Sequence, residues 1–379
     1  MLDESLLDAP EALAQADRCG LLRGAAESGA RVRTAARHAA EAGITDLQPE
    51  GRPRSVLVAG TGTAATGAAD LIAALAGASA PVIRLRPTGV AAAGGALRWT
   101  LPGWAGSVDL LLIPTNDGSE PGLATLAEQA YRRGVTVVAV APRRSPITEA
   151  VGTTHGLVVP MATAPHELYE EPQAAGPGAL WALFTPLLVL LDRVGLFTAP
   201  FDTLEKVADR LDRTAERCGP AIATYSNPAK TLAAELSDAL PLIWTEGNAA
   251  APVGRRFAAV LAELAGRPAL AAELPEALDA HAGLLAGDFA GGADPEDFFR
   301  DRVEDPQALH ARVVLLRDRP ADAGGLTAAP AARELALGHD TPISELEPEE
   351  GNTLEALADL LAITDFAACY LALASGRRL

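Results

Sequence analysis

The sequence predicts an α/β protein built from doubly wound parallel sheets in two domains, and three observations support that fold class. The stretch 55–70, SVLVAGTGTAATGAAD, is a short apolar run followed by glycines and small residues. Strand-like and helix-like segments then alternate, which is typical of a parallel sheet covered on both faces. The length of 379 residues suits two domains of about 150 residues each with connecting helices.

The stretch 55–70 predicts a strand, a sharp turn and the beginning of a helix. Gly60, Gly62 and Gly67 are spaced through it, and glycine lets the backbone turn so that amide N–H groups point at an anion. Thr63 would add a hydroxyl donor. Small residues also allow a helix to pack closely on a sheet without any ligand, and a lone glycine-rich turn does not distinguish the two interpretations. Both place an α/β unit here.

Taken in order, the chain begins with helical spacing over 6–42, and we expect these helices to brace the first domain. Strand-like runs are predicted at 56–59, 81–85, 109–115, 135–141 and 156–160. Ligands bind parallel sheets of this kind at the carboxyl ends of the strands, where the strand order reverses. The loops after 56–59 and 109–115 therefore matter most.

The second half repeats this layout less clearly, because alanine dilutes the periodicity. The segment 161–177 is interpreted as a linker or lid, and two long helices are predicted at 179–195 and 202–218. Further strands are predicted at 241–245, 269–274 and 311–316, with helices at 251–265 and 354–375. The predicted domains are a helical segment 1–50, a first domain 51–165, a linker with connecting helices 166–237, and a second domain 238–379.

Composition excludes several function classes. The net charge is −18 and no basic stripe occurs, which argues against a nucleic-acid partner. No apolar run approaches the roughly 18 to 20 residues of a membrane span. The three cysteines, Cys19, Cys218 and Cys369, are far apart, so neither a disulfide framework nor a CxxC metal site is indicated. We expect a cytoplasmic protein without a metal or other cofactor.

Two loops carry the family signal: GTGTA at 60–64 and TNDGSE at 115–120. With the second α/β region, they resemble the sugar isomerase (SIS) fold. More specifically, the chain resembles the bifunctional phosphoglucose/phosphomannose isomerases, which have two SIS domains, each a flavodoxin-like doubly wound sheet. It covers about 55–376, and it implies the interconversion of glucose 6-phosphate or mannose 6-phosphate with fructose 6-phosphate. It also implies a homodimer whose substrate phosphate is held by Gly60, Gly62, Thr63, Thr115 and Ser119.

Both loops depart from the family pattern. The family's first loop is GMGGS, so its serine is lost here and Thr63 is the nearest hydroxyl. The family's second loop is SxSGNT, whereas this chain has TNDGSE, in which Asp117 introduces a carboxylate. A carboxylate within about 4 Å of a phosphate costs several kcal/mol at an effective dielectric constant near 20. The resemblance therefore implies weakened phosphate binding, or a preference for a neutral or amino-bearing ligand.

The second domain carries the catalytic resemblance. Residues 256–270, RFAAVLAELAGRPAL, resemble the family segment RWxxQxNENxKxPAF, which places Glu263 on the family's catalytic base. Isomerisation through an enediol needs one base that moves a proton between C1 and C2. We expect the apolar neighbours Leu261 and Leu264 to desolvate this carboxylate. The alternative, a solvated helix carboxylate, stays open.

Ring opening is assigned in the family to a histidine shortly after a Pro-Glu pair. Pro275 and Glu276 match that pair, but Asp279 stands in the register of the histidine and His281 follows two residues later. We expect His281 to assist ring opening, with an ordinary surface histidine as the alternative.

Three function hypotheses remain open. The first is an active sugar-phosphate isomerase. The second is a catalytically degenerate SIS protein that binds a sugar phosphate, or nothing small, in a regulatory or scaffolding role. The lost serine, the carboxylate of Asp117 and the absence of a counterpart to the family's terminal active-site lysine favour it. The third is an NADP-binding domain, which rests on GTGTAATG with Arg84 and Arg86 after the second strand, although the spacing departs from G-x-G-x-x-G.

Overall fold

The structure is a computed structural model that describes residues 3–89, 94–163, 176–287, 289, 309–319 and 327–376. The chain forms two compact units, Ala26–Asp212 and Met1–Ala25 together with Arg213–Leu379. These limits describe which residues pack together, and the domain boundaries given above stay a prediction.

Nine strands and fourteen α-helices are formed by the described residues. The strands are β1 (Val56–Ala59), β2 (Val82–Leu85), β3 (Leu110–Pro114), β4 (Thr136–Ala141), β5 (Leu157–Pro160), β6 (Ala239–Glu246), β7 (Leu270–Glu273), β8 (His310–Arg317) and β9 (Ile343–Leu346). The helices are α1 (Glu4–Leu7), α2 (Pro10–Ala16), α3 (Leu21–Ala26), α4 (Ser28–Glu41), α5 (Gly62–Ala76), α6 (Pro121–Arg132), α7 (Pro146–Thr153), α8 (Ala179–Arg193), α9 (Phe201–Arg217), α10 (Pro228–Glu235), α11 (Ala250–Val260), α12 (Glu276–Ala286), α13 (Ala329–Gly338) and α14 (Thr353–Ala374).

The unit Ala26–Asp212 contains a five-stranded sheet with the order β2-β1-β3-β4-β5, and all neighbours are parallel. Every residue of β1 and β3 is buried, as expected for central strands covered by helices on both faces. Strand order reverses between β1 and β3. The doubly wound sheet predicted for the first domain is confirmed.

The other unit contains a four-stranded parallel sheet with the order β7-β6-β8-β9. Its order reverses between β6 and β8, so the same topology is repeated with one strand fewer. Its core contains Trp244 of β6 and apolar residues of β8, α12 and α13. The expectation that no apolar run approaches the length of a membrane span is wrong for helix α14, which is long and apolar enough to cross a membrane. Its most apolar window is fully buried inside the protein, as in the core helix of a soluble protein.

Most predicted elements are confirmed, and three need correction. The stretch 6–42 is not one bracing segment, because its residues up to Ala25 belong to the unit that contains the second sheet. Within that unit α1 contacts α14, and Asp3 N donates to Ala374 O. The predicted helix 251–265 is α-helical only up to Val260, where α11 ends. A π-helical turn, Leu261–Ala265, follows and ends at Gly266, which has φ +62°. Strand β9 was not predicted. Residues 164–175 of the predicted linker or lid lie outside the described residues.

Candidate active site

The first candidate site lies at the carboxyl ends of β1 and β3, in the loops 60–63 and 115–120, here called the first crevice. The two strands are neighbours in the sheet, so their loops meet. A Cβ on Gly60 would lie 2.3 Å from the Pro114 carbonyl oxygen, and Gly62 has φ +80°. Glycine is required at the first position by close approach and at the second by backbone conformation.

The hydroxyl groups of the first crevice bind a carboxylate of the chain itself. Thr61 Oγ1 donates to Glu120 Oε1 at 2.8 Å, and Thr115 Oγ1 lies 3.2 Å from Glu120 Oε2. The Gly118 amide donates to Thr115 Oγ1 at 2.9 Å, which fixes the orientation of this hydroxyl. Thr115 and Glu120 are both buried. The hydroxyl expected to hold a substrate phosphate is thus already bound to an internal anion.

The remaining predicted phosphate residues lie in the same two loops. Ser119 Oγ donates to Asp117 Oδ2, and both side chains are exposed. Thr63 lies in the first turn of α5 and is half-buried. The structure therefore brings the predicted residues to one crevice but directs the hydroxyls of Thr115 and Ser119 to carboxylates. Sequence reasoning weighed Asp117 and overlooked Glu120, although Glu120 occupies the last position of the second loop motif.

The second sheet has an equivalent opening after β6 and β8, in the loops 247–249 and 318–319, here called the second crevice. Gly247 has φ +102°. Asp318 Oδ2 accepts a hydrogen bond from the Ala249 amide at 3.0 Å, immediately before α11. A carboxylate of the chain thus satisfies the beginning of the helix in this crevice, where α/β proteins commonly place a ligand anion.

A charged network borders the second crevice. Arg317 at the end of β8 donates through Nε to Glu246 at 2.8 Å and through Nη1 to Glu347 at 2.8 Å. Glu246 also accepts from Thr327 Oγ1 and from the Ala328 amide at 2.6 Å. Burial alone would raise the pKa of Glu246, but these hydrogen bonds outweigh it and hold the pKa below its ordinary value.

The predicted base Glu263 lies in the π-helical turn Leu261–Ala265 and is exposed, whereas Leu261 and Leu264 are buried. The expected desolvation by these two leucines is wrong, because they point into the core and the carboxylate points to solvent. Single π-turns occur frequently at functional sites. The role of Glu263 as base stays a prediction.

His281 is buried, so the surface-histidine alternative is wrong. It lies on α12, and Trp244 Nε1 donates to its Nδ1 at 2.9 Å. Burial lowers the pKa of the ring, which favours the neutral form that this bond requires. In the neutral ring the proton is then on Nε2. Glu263 and His281 lie on the elements that precede and follow β7.

A buried ion pair that sequence reasoning missed anchors the helix leading to Glu263. Arg256 of α11 donates through Nη1 and Nη2 to the two carboxylate oxygens of Asp365 on α14, and both side chains are almost fully buried. The pairing fixes α11 on the core helix. Arg84, on which the NADP hypothesis relied, lies 3.4 Å from Asp70, so this guanidinium has a partner within its own unit.

Known proteins with similar sequence or structure match one or both of the two sheets. Residues 225–377 match the family model of the bacterial phospho-glucose isomerase C-terminal SIS domain. A candidate phosphosugar isomerase from Clostridium difficile 630 has a TM-score of 0.60 at 12% identity, covering 91% of this chain and 90% of that one. One from Silicibacter pomeroyi DSS-3 has a TM-score of 0.56 at 16% identity, covering 92% and 96%.

The C-terminal domain of glucosamine-fructose-6-phosphate aminotransferase from Francisella tularensis has a TM-score of 0.52 at 14% identity, covering 94% of this chain and 96% of that one. No curated protein matches the sequence. Similarity at these identities shows the fold, and it extends over both sheets. The chain therefore has the SIS fold in both of its sheets, and its residues 225–377 are similar to the bacterial phospho-glucose isomerase C-terminal SIS domain.

Proposed function

We propose that this protein is a cytoplasmic sugar-phosphate isomerase that interconverts an aldose phosphate and a ketose phosphate. The observation that carries the proposal is the family match over residues 225–377, because it includes both predicted catalytic residues. The substrates implied are glucose 6-phosphate or mannose 6-phosphate and fructose 6-phosphate. A homodimer is the assembly expected from the family.

The chemistry requires one accessible base. Glu263 is exposed on its π-helical turn, so a substrate carbon can reach the carboxylate. In this proposal Glu263 removes the proton from C2 of the open-chain aldose, and an enediolate forms. The hydroxyl proton on O2 passes to O1, and the protonated carboxyl returns its own proton to C1, which gives the ketose with its carbonyl at C2. A positioned general base contributes about 10²- to 10⁴-fold to such a step.

The hydrogen bond from Trp244 restricts what His281 can do. Because Nδ1 accepts that bond, only Nε2–H is left for a substrate, and it acts as a donor. In this proposal Nε2–H supports the departing ring oxygen during ring opening. A role as base is excluded for this tautomer, since the remaining ring nitrogen already carries its proton.

A coupled assay for interconversion of the three hexose 6-phosphates tests the proposal. We expect turnover by the wild type and a loss of at least 100-fold in kcat for Glu263→Gln. The matched control is Glu334→Gln, the same change at an exposed carboxylate of α13, and it should retain wild-type turnover. Absence of turnover in the wild type would overturn the proposal.

A second function is favoured by one observation, the Glu120 carboxylate bound to Thr61 and Thr115 in the first crevice. An anion held about 4 Å from this carboxylate is opposed by about 4 kcal/mol at an effective dielectric constant of 20, whereas an ammonium group is favoured by the same amount. On this basis the protein binds an amino sugar phosphate or a neutral sugar without turnover and acts as a regulatory or scaffolding protein.

Thermal shift with glucosamine 6-phosphate and with glucose 6-phosphate separates the two functions. The binding-protein function predicts stabilisation by the amino sugar alone in the wild type, and stabilisation by both sugars in Glu120→Gln. Equal stabilisation of the wild type by both sugars, together with turnover, would contradict it.

A further inference from the structure

In the part of the chain that the structure describes, the two sheets differ by one strand, and the difference leaves a groove. In the first sheet β5 pairs with the outer edge of β4. In the second sheet β9 occupies the position of β4, and it pairs only with β8 among the described residues. The chain passes from β9 directly to α14, without a further strand.

The surroundings of β5 have counterparts in the second unit. In the first unit α4 packs on α8 and also contacts β5, and His38 Nδ1 on α4 lies 3.0 Å from the Pro160 carbonyl oxygen of β5. In the second unit α10 packs on α14 in the same way. A strand between α10 and β9 would therefore stand where β5 stands between α4 and β4.

A groove of about 510 Å³ lies at that position. It is lined by all four residues of β9, and by Tyr225, Thr231 and Glu235 on the side of α10. Consecutive strand residues point to opposite faces of a sheet. A groove that touches all four of them follows the edge of β9 rather than one face. Tyr225 is 90% exposed beside it.

The open edge offers hydrogen-bonding groups in a defined pattern. Val313 N of β8 donates to Pro342 O, and successive residues of a strand direct their backbone groups to alternate sides. Residues 342, 344 and 346 therefore face β8. The N–H and C=O groups of Ile343 and Glu345 face the groove. An extended segment placed there would find both donors and acceptors.

The charges along the groove are neutralised within the chain. Arg217 pairs with Glu349 at 2.5 Å, Glu235 with Arg312 at 2.8 Å, and Glu345 with Arg333 at 2.6 Å. A charged occupant would gain little from these side chains. The segment that fills the equivalent position, Leu157–Pro160, is uncharged and rich in β-branched residues.

We propose that the groove binds an extended, uncharged segment of a partner polypeptide, which adds to β9 as a fifth strand. Main-chain hydrogen bonds provide affinity in this mode of recognition, and alternate side chains provide specificity. Helix α10 forms one wall of the groove, so a single strand enters more readily than the edge of a whole sheet. This interaction is independent of the isomerase reaction.

The test uses the full chain and a fluorescein-labelled peptide with the sequence of residues 156–162, GLVVPMA, followed by fluorescence anisotropy. Two variants at one position form the matched pair. Glu345→Ala removes the side chain but keeps the N–H group at the open edge, whereas Glu345→Pro also removes the N–H group. Proline is tolerated on edge strands when its missing N–H faces outward, so the ladder to β8 is retained.

We expect the wild type and Glu345→Ala to bind with similar affinity and Glu345→Pro to bind at least tenfold more weakly. Ser226→Trp, a substitution on the groove wall away from β9, should abolish binding even if Glu345→Pro fails to fold. A peptide with aspartate in place of both valines should not bind.

Three results would overturn the proposal. One is no measurable binding of the peptide at concentrations up to about 1 mM. Another is equal weakening by Glu345→Ala and Glu345→Pro. The third is self-association of the chain, measured by sedimentation, that is lost in Glu345→Pro and kept in Glu345→Ala, because it would assign the edge to a second copy.

Discussion

The two crevices occupy the same place in their sheets, yet carboxylates close them in different ways. In the first crevice the hydrogen bonds to Glu120 come from the hydroxyl groups of Thr61 and Thr115. At the border of the second crevice, Glu246 is bound by a buried guanidinium, a hydroxyl and a backbone amide. Neutral donors are exchanged at small cost, whereas breaking a buried ion pair is expensive.

The contacts of the two glutamates therefore differ in whether a ligand can replace them. A ligand in the first crevice needs only to replace one carboxylate on two hydroxyls. A ligand in the second crevice would have to break contacts that join β6, β8 and the loop before α13. We therefore infer that the Glu246–Arg317 network bordering the second crevice is structural, whereas a ligand can replace Glu120 on the hydroxyl groups of the first crevice.

The largest expected effect comes from Glu246→Ala. Arg317, whose side chain is 7% exposed, would lose its Nε partner, and the Ala328 amide would lose its acceptor. Removal of one member of a buried ion pair costs about 3–5 kcal/mol, and we expect about 3 kcal/mol because Glu347 remains. Urea unfolding measures the loss, with Glu334→Ala as the exposed control. A loss below about 1 kcal/mol would contradict a structural second crevice.

A smaller loss is expected for Gly60→Ala in the first crevice. The new Cβ would meet the Pro114 carbonyl oxygen at 2.3 Å, and this backbone atom can move only with β3. Overpacking of this kind costs about 1–3 kcal/mol. Gly103→Ala is the control, since a Cβ there meets nothing within 4 Å. Equal stability of the two variants in urea unfolding would show that the first crevice is looser than described.

A pH effect is expected from His281 beneath the second sheet. Its pKa is lowered in the folded protein by burial, so below about pH 6.5 the unfolded chain binds a proton that the folded chain does not. Stability contributed by the neutral ring is full above that pH and is lost as the pH falls.

His281→Gln keeps an acceptor for Trp244 Nε1 and cannot titrate. Between about pH 7 and pH 5, we expect the melting temperature of this variant to fall less than that of the wild type. The difference in stability between the two proteins should be smaller than the loss expected for Gly60→Ala. His310→Gln, at an exposed histidine of β8, is the control. If the melting temperatures of the wild type and His281→Gln fall in parallel with pH, His281 does not contribute to the loss of stability at low pH.

The fold was largely predictable from sequence because its strands are continuous apolar runs between turn residues. Strand β9 was missed because ISEL places two adjacent polar residues between two apolar ones, without the alternation typical of a strand, and all four residues are half-buried. The exposed Glu263 was predicted as desolvated because sequence neighbours on a helical turn need not share its face. The Thr61–Glu120 hydrogen bond and the Arg256–Asp365 pair could not be predicted, since these contacts join residues distant in sequence. The Thr115–Glu120 contact lies within one loop, but the loop sequence does not specify which way the carboxylate turns.

The smallest expected effect, Glu120→Gln, tests the comparison most directly. The amide oxygen still accepts from Thr61 and Thr115, and no buried cation loses a counterion, so we expect a stability change below about 1 kcal/mol. The same substitution at Glu246 would leave Arg317 with a weaker, neutral partner and should cost more. Urea unfolding of the two glutamines, at equal ionic strength, measures the difference. If Glu120→Gln proves as destabilising as Glu246→Gln, the carboxylate in the first crevice is a structural element too, and ligand exchange must occur elsewhere in the chain.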